Sequence, residues 1–115
     1  MINRIEETRR APRINFTGPV RCQLRGTPVF LNTLSDDISD SGIGFINNKF
    51  IPPQTTVMME INIFARVLRP ISKIVWSSPY PHADKYRFGA QFLEWENSQD
   101  KKYLSDYINM KLNQA

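Results

Sequence analysis

The sequence contains one cysteine and one histidine among its 115 residues. Cys22 therefore has no partner for an internal disulfide, and with His82 as the one further soft ligand a structural zinc site is not expected. The histidine has no evident nucleophile partner, and the chain has neither a glycine-rich phosphate loop nor a nucleophile-elbow pattern. We therefore expect a protein without catalytic activity, without a metal site and without a cofactor.

Long apolar runs are also missing. No segment approaches the roughly 18 apolar residues of a membrane-spanning helix. The N-terminal residues 1–7 lack the apolar core of a signal peptide. The sequence therefore predicts a cytoplasmic protein with no membrane span. Its length suits a single domain, and its hydrophobic content of 41% is sufficient to form a core.

Positive charge is concentrated near the N-terminus. The formal net charge is +4, and six of the nine arginines lie in the first 25 residues. A guanidinium carries paired N–H donors in a planar fork, which match phosphate oxygens and the O6 and N7 acceptors of guanine. The cluster therefore favours recognition of a phosphate or a base edge, and a solvated basic tail is the alternative.

Closely spaced turn signals divide the chain into short segments, several of which alternate apolar and polar residues as half-buried strands do. We predict strands over 20–24, 29–34, 43–46, 56–64, 71–76 and 86–93. Gly44 lies within one of them, where glycine often marks a bulge or a close approach by another group. From residue 97 the apolar period becomes helical, with Asn97 or Ser98 as N-cap and Asp100 in the first turn. An all-β body closed by one C-terminal helix is therefore predicted.

Two short motifs carry groups that suit a guanine nucleotide. They are Arg9-Arg10-Ala11-Pro12-Arg13 and Asp37-Ile38-Ser39-Asp40-Ser41-Gly42. Arginines of the first motif could donate to phosphates or to O6 and N7. The ionised Asp37 only accepts hydrogen bonds, so it could receive the N1–H and the exocyclic amine of guanine, whereas adenine presents the reverse pattern. Ser39 could donate to a base or a phosphate, and Gly42 is expected to adopt a positive φ.

The order of these motifs, RxxxR followed about two strands later by DxSxxG, resembles the signature of the PilZ domain, a bacterial receptor module for cyclic di-GMP. The resemblance covers nearly the whole chain, roughly Glu6 to Leu112, and includes the segment YRFGAQFL. It implies a six-stranded antiparallel β-barrel with a C-terminal α-helix. Residues 1–16 would form an arm that carries RxxxR, and residues 17–115 the barrel, with its helix at about 97–112.

The resemblance also implies a standalone, non-catalytic receptor that relays cyclic di-GMP to an unidentified protein effector. In the two motifs, the ligand would contact Arg9, Arg10, Arg13, Asp37, Ser39 and Gly42. Asp40 and Ser41 fill variable positions of the second motif and are expected to tolerate substitution. Trp76 ends a predicted strand, at about the position where family members often place a residue beside a guanine. Its indole could stack on the base, and packing in the core is an equally good interpretation.

Other functions fit the sequence less well. The second motif imitates the start of an EF-hand loop, but Asn48 stands where the bidentate glutamate is expected, and the flanks are predicted strands. A small barrel with a basic arm could bind single-stranded nucleic acid, yet the aromatics fall mainly on predicted core faces and acids flank the site. We therefore expect no nucleic-acid polymer as partner. A PilZ-like adaptor that binds proteins and no nucleotide is the remaining alternative.

Overall fold

The computed structural model describes residues 12–114. These residues form eight strands and one helix. In chain order they are β1 Ile14–Asn15, β2 Pro19–Leu24, β3 Phe30–Ile38, β4 Gly42–Asn47, β5 Thr56–Ile63, β6 Arg66–Leu68, β7 Pro70–Pro79, β8 Tyr86–Trp95 and α1 Ser98–Leu112. The predicted succession of short strands before a C-terminal helix is confirmed.

Six of the strands close into an antiparallel barrel. Their order is β3-β2-β5-β7-β8-β4, and β4 returns to pair with β3. The other two strands lie outside this ring, since β1 pairs with the end of β3 and β6 forms a hairpin with β5. Closure pairs every strand of the ring on both sides, which removes exposed sheet edges from it. The predicted six-stranded antiparallel barrel with a C-terminal helix is thus confirmed.

The barrel interior is filled by side chains that alternate along the strands with outward-facing ones. On β5 the buried residues are those that the period-two pattern predicts, namely Val57, Met59, Ile61 and Ile63. Cys22 on β2 is also fully buried, and its burial raises the pKa of the thiol to about 12 because the thiolate is disfavoured away from water. Cys22 therefore acts as a small apolar residue.

Helix α1 is attached to the barrel by its first turn and by one apolar stripe. The Asn97 side chain caps the helix, accepting a hydrogen bond of 3.0 Å from a backbone N–H of the first turn. Asp100 is only 4% exposed, and its Oδ1 accepts a hydrogen bond of 2.9 Å from Nε of Arg66 and lies 2.9 Å from Nη2 of the same guanidinium. Leu104 and Ile108 are buried in the core cluster of the barrel. The predicted N-cap and helix are confirmed.

Several strand boundaries differ from the prediction. β3 continues to Ile38, so the second motif begins inside a strand, and β7 continues to Pro79. The predicted strand over 56–64 ends one residue earlier, since Phe64 adopts a φ of 54° in the turn before β6. The sequence did not predict β6. The turn before it consists of Phe64 and Ala65, and neither is the glycine or asparagine that normally marks a tight hairpin.

Candidate ligand-binding site

The outer face of the barrel carries a row of four residues contributed by four strands. Asp37 on β3 pairs with Gly44 on β4. Gly44 in turn pairs with Gly89 on β8, and Gly89 pairs with Trp76 on β7. Residues in register on adjacent strands share a face of the sheet, so these four positions lie side by side.

The two central glycines allow the side chains at the ends of the row to lie over the barrel wall. A Cβ on Gly44 would stand 2.5 Å from Oδ1 of Asp37. A Cβ on Gly89 would collide with Nε1 of Trp76. The carboxylate and the indole thus occupy the space that side chains at the two glycines would need. The row presents an acceptor at one end and an aromatic ring at the other.

Two β-bulges direct these end residues outward. The register shifts between Ser35 and Asp37 on β3 and between Ile74 and Trp76 on β7. In a regular strand, Trp76 would share the buried face with Ile74, which lies two residues earlier. The extra residue reverses its direction, and Trp76 is 43% exposed. Packing in the core, one of the two roles that the sequence left open for Trp76, is thereby excluded.

Arg13 joins the two sequence motifs. Its Nη2 donates to Oδ1 of Asp37 at 2.9 Å, and its Nη1 donates to Oγ of Ser39 at 3.3 Å. The side chains of the ion pair are 37% and 24% exposed, so water reaches both partners. Strand β1 begins directly after Arg13 and pairs Asn15 with Asp37, which positions the guanidinium. The structure therefore brings three predicted site residues together.

The turn between β3 and β4 completes the second motif. Ser39 is fully buried, and its Oγ accepts a hydrogen bond of 3.2 Å from the backbone N–H of Ser41. Gly42 does not adopt the expected positive φ, which among the described glycines occurs at Gly26. That prediction was wrong. Glycine is required at position 42 because a Cβ would collide with the carbonyl oxygen of Ala90 on the neighbouring strand β8.

Arg87 on β8 lies in the same site, although the sequence did not single it out. Its Nη2 is 2.6 Å from Oδ2 of Asp36 and 3.8 Å from Oδ2 of Asp37. Its Cζ is 6.0 Å from the centroid of the Trp76 ring. Strand alternation could have indicated it, because Arg87 lies two residues before the β8 glycine of the row and so on the same face. The Asp37 carboxylate lies between two guanidinium groups, with Arg13 at Oδ1 and Arg87 near Oδ2.

A cleft of about 450 Å³ adjoins this arrangement. Asp36, Trp76 and Arg87 line it together with residues 78–81. A larger and more apolar cleft of about 520 Å³, which includes Phe30, lies elsewhere on the barrel and contains no residue of either motif. The smaller cleft is therefore the one in which charged and aromatic groups meet beside the motifs.

A match to a known family covers almost the whole chain. The family model of the PilZ domain matches residues 7–109. The chain belongs to the PilZ domain family. This confirms the resemblance carried by the two motifs. PilZ domains are receptor domains and not enzymes, so the expectation that this domain is non-catalytic is confirmed with it.

Solved structures share the PilZ fold at low sequence identity. The Bacillus subtilis inhibitor of motility MotI/DgrA matches with a TM-score of 0.75 at 19% identity, over 90% of this chain and 51% of that one. Escherichia coli YcgR in complex with c-di-GMP matches with a TM-score of 0.73 at 18% sequence identity, over 91% of this chain and 46% of that one. The PilZ domain of CeSA from a cellulose-synthesizing bacterium matches with a TM-score of 0.62 at 13% sequence identity, over 90% of this chain and 99% of that one. The chain thus spans about half the length of the first two proteins.

Among curated proteins, none matches the sequence. The assignment to the PilZ family therefore rests on the family model, and the solved structures add the shared fold.

Two variable positions of the second motif, Asp40 and Ser41, connect its turn to helix α1 and to strand β8 respectively. Oδ1 of Asp40 accepts a hydrogen bond of 3.0 Å from Oγ of Ser105 on α1. The carbonyl oxygen of Ser41 accepts a hydrogen bond of 2.8 Å from the backbone N–H of Phe92. Tolerance of substitution at Asp40 and Ser41 stays a prediction, and these contacts give each residue a partner.

Two further predicted site residues, Arg9 and Arg10, lie outside the described residues. Within residues 12–114, no helix is long and apolar enough to cross a membrane. The same residues contain no group of three His, Cys, Asp or Glu side chains that could hold a metal ion. The turn of the second motif of this PilZ domain connects strands β3 and β4, in contrast to the paired helices of an EF-hand.

Proposed function

We propose that this PilZ domain is a non-catalytic receptor for cyclic di-GMP. The observation that carries the proposal is the contact of Arg13 with both Asp37 and Ser39, since it unites the two motifs in one surface site. Two proteins with the same fold, Escherichia coli YcgR and Borreliella burgdorferi PlzA, have structures in complex with c-di-GMP. Their ligand supports the same assignment here.

In the proposed complex, Asp37 recognises one guanine. Its carboxylate accepts hydrogen bonds from N1–H and from the exocyclic amine, which adenine does not offer in that arrangement. Trp76 offers an exposed indole face at the other end of the row, where a base can stack. Stacking of a base on an aromatic side chain contributes about 1–3 kcal/mol and does not depend on the base. Selectivity therefore comes from Asp37, and Trp76 adds affinity.

The arginines supply the charge that the dianionic ligand requires. Arg13, with Arg9 and Arg10 from the same motif, donates to phosphates and to O6 and N7 of guanine. Arg13 reaches the ligand by exchanging its contact with Asp37 for acceptors on the nucleotide. Ser39 is fully buried and holds Arg13 and the turn in place, and it donates to the ligand only where Arg13 moves away; Gly42 keeps that turn close to β8.

Calorimetric titration with cyclic di-GMP tests this function. The wild type should bind, and Arg13→Ala should bind about 10- to 150-fold more weakly, because a hydrogen bond to a charged group contributes about 1.5–3 kcal/mol. Arg21→Ala is the matched control, since Arg21 pairs with Glu60 on another part of the barrel and its loss changes the net charge equally. Wild-type affinity in Arg13→Ala would refute the assignment.

A second titration tests how the base is recognised. Asp37→Ala should reduce binding of cyclic di-GMP and bring it closer to that of cyclic di-AMP, because the mutation removes the acceptor that distinguishes the two bases. If the ratio of the two affinities is unchanged in Asp37→Ala, guanine is recognised by other groups.

We also propose that the domain passes the signal to a protein partner. Helix α1 is the element proposed to respond to ligand binding. The hydrogen bond between Ser105 and Asp40 supports this proposal, because it connects the helix directly to the second motif. Affinity capture with and without cyclic di-GMP, on wild type and on Ser105→Ala, tests this relay. A partner bound equally in all four conditions would contradict it.

A further inference from the structure

We infer that Arg87 is a ligand-contacting residue that recognises O6 and N7 of the guanine held by Asp37. This inference rests on the proposed function and extends it beyond the two sequence motifs. Arg87 lies on β8, far from both motifs in sequence, and its guanidinium is 3.8 Å from the Asp37 carboxylate.

The position of Arg87 follows from the barrel wall. It faces outward on β8 and lines the cleft with Trp76 and Asp36. Its Nη2 is 2.6 Å from Oδ2 of Asp36, and its Cζ is 6.0 Å from the Trp76 ring centroid. The guanidinium of Arg87 therefore lies close to both groups that the proposed base would contact, the indole of Trp76 and the carboxylate of Asp37.

The chemistry of guanine explains what this guanidinium would contact. In guanine, O6 is bonded to the carbon next to N1, and N7 lies on the same edge beyond O6. A base that donates N1–H to one carboxylate oxygen therefore directs O6 to the side of that oxygen. Arg13 is at Oδ1 of Asp37, and Arg87 is near Oδ2. When N1–H is donated to Oδ2, the O6 and N7 acceptors face Arg87, and an arginine fork fits that pair.

The same arrangement rejects adenine. Adenine carries an amine where guanine carries O6, so its donor would meet the donors of Arg87. Asp37 and Arg87 together would thus recognise the two sides of one base, the first through donors of guanine and the second through its acceptors.

The contacts of Arg87 also leave it capable of a further interaction. Its Nε is buried and has no hydrogen-bond partner within residues 12–114. A buried donor without a partner is unfavourable, so a rotation that places the fork on a base edge can improve the interactions of Arg87. Asp36 is the acid that holds the guanidinium beside the cleft, and both side chains are about two-fifths exposed.

Three variants test the inference by calorimetry. Arg87→Ala and Arg87→Lys should each weaken cyclic di-GMP binding about 10- to 100-fold, because lysine keeps the charge but lacks the fork that matches O6 and N7. Arg21→Ala should keep wild-type affinity. Thermal unfolding of each variant should stay close to the wild type, since Arg87 is a surface residue.

A ligand that lacks the exocyclic amine of guanine distinguishes the contribution of Arg87 to base recognition from that of Asp37. Cyclic di-IMP keeps O6, N7 and N1–H, so the fold-loss caused by Arg87→Ala should be the same with it as with cyclic di-GMP. The fold-loss caused by Asp37→Ala should be smaller with cyclic di-IMP, because one of its two hydrogen bonds is already missing.

The possible results distinguish this inference from the proposed function. If Arg13→Ala loses binding and Arg87→Ala does not, the inference is overturned and the function stands. If Arg87→Lys restores binding, Arg87 contributes charge to a phosphate and does not read the base. If the wild type does not bind cyclic di-GMP, both are overturned.

Asp36 provides a second, independent measurement. Asp36→Asn removes the acid that pairs with Arg87 at 2.6 Å and one negative charge beside the site of a dianion. Affinity should therefore rise about two- to fivefold, the range expected from loss of a solvent-exposed ion pair. Equal or weaker binding would overturn the view that Arg87 breaks its ion pair with Asp36 in order to contact the ligand.

Discussion

Replacement of Gly44 by alanine should impair ligand binding while the barrel stays folded. The new Cβ would stand 2.5 Å from Oδ1 and 3.4 Å from Cγ of Asp37. These atoms belong to a side chain that can rotate, so the carboxylate moves and the backbone of β4 stays in place. The movement removes the contact between Asp37 and Arg13, which measures 2.9 Å.

The effect on stability should be small. The Arg13–Asp37 pair is partly exposed, and such pairs contribute about 0.2–1 kcal/mol to folding. Alanine also has fewer conformations than glycine in the unfolded chain, which stabilises a protein by about 0.4–1 kcal/mol where the backbone conformation is compatible. Gly44 lies within a regular strand, so the two terms largely cancel. Urea unfolding of Gly44→Ala should agree with wild type within about 1 kcal/mol.

The effect on binding should be large by comparison. A displaced Asp37 cannot accept from guanine, and a hydrogen bond to a charged group contributes about 1.5–3 kcal/mol, so affinity for cyclic di-GMP should fall about 10- to 150-fold. Gly18→Ala is the control, because the nearest atom to its Cβ is 3.9 Å away. A Gly44→Ala protein that binds as the wild type does would refute the role of Asp37 or the packing argument.

Three further outcomes follow from the structure. Gly89→Ala should displace the indole of Trp76, so tryptophan emission should change and cyclic di-GMP should bind more weakly in calorimetry. Asp100→Asn should lower the free energy of unfolding by about 1.5–3 kcal/mol in urea titrations, because Arg66 loses its buried anionic partner. Cys22 should resist alkylation at pH 8 in the folded protein, since burial raises its pKa to about 12, and labelling should follow unfolding when urea is added.

The sequence predicted the regular parts of the fold because they follow simple periods. Val57 to Ile63 alternate every second residue, and such alternation specifies a strand and which of its faces is buried. The C-terminal helix was similarly marked by its apolar spacing and by Asn97 as cap. Gly44 was predicted to mark a bulge or a close approach by another group, and the structure identifies that group as the side chain of Asp37.

The irregular parts could not be predicted in the same way. A bulge adds one residue to a strand without a characteristic composition, so the outward direction of Asp37 and Trp76 is not readable from alternation. The turn at Phe64 carries no glycine or asparagine, and β6 was missed for that reason. Arg87 belongs to no motif, and its proximity to Asp37 depends on the register between β4 and β8.

The contacts around Asp37 determine what kind of ligand can bind. Its two oxygens face the guanidinium groups of Arg13 and Arg87, so donors from a base must compete with donors from the protein. Such an exchange is favourable only if each arginine that moves finds a new acceptor on the ligand. In the proposed complex, cyclic di-GMP would supply N1–H and amine donors for the carboxylate, and O6, N7 and phosphate acceptors for the arginines. A molecule that offers only donors would leave the arginines without partners, and one that offers only acceptors would leave Asp37 unsatisfied, so the proposed selectivity would arise from the exchange itself.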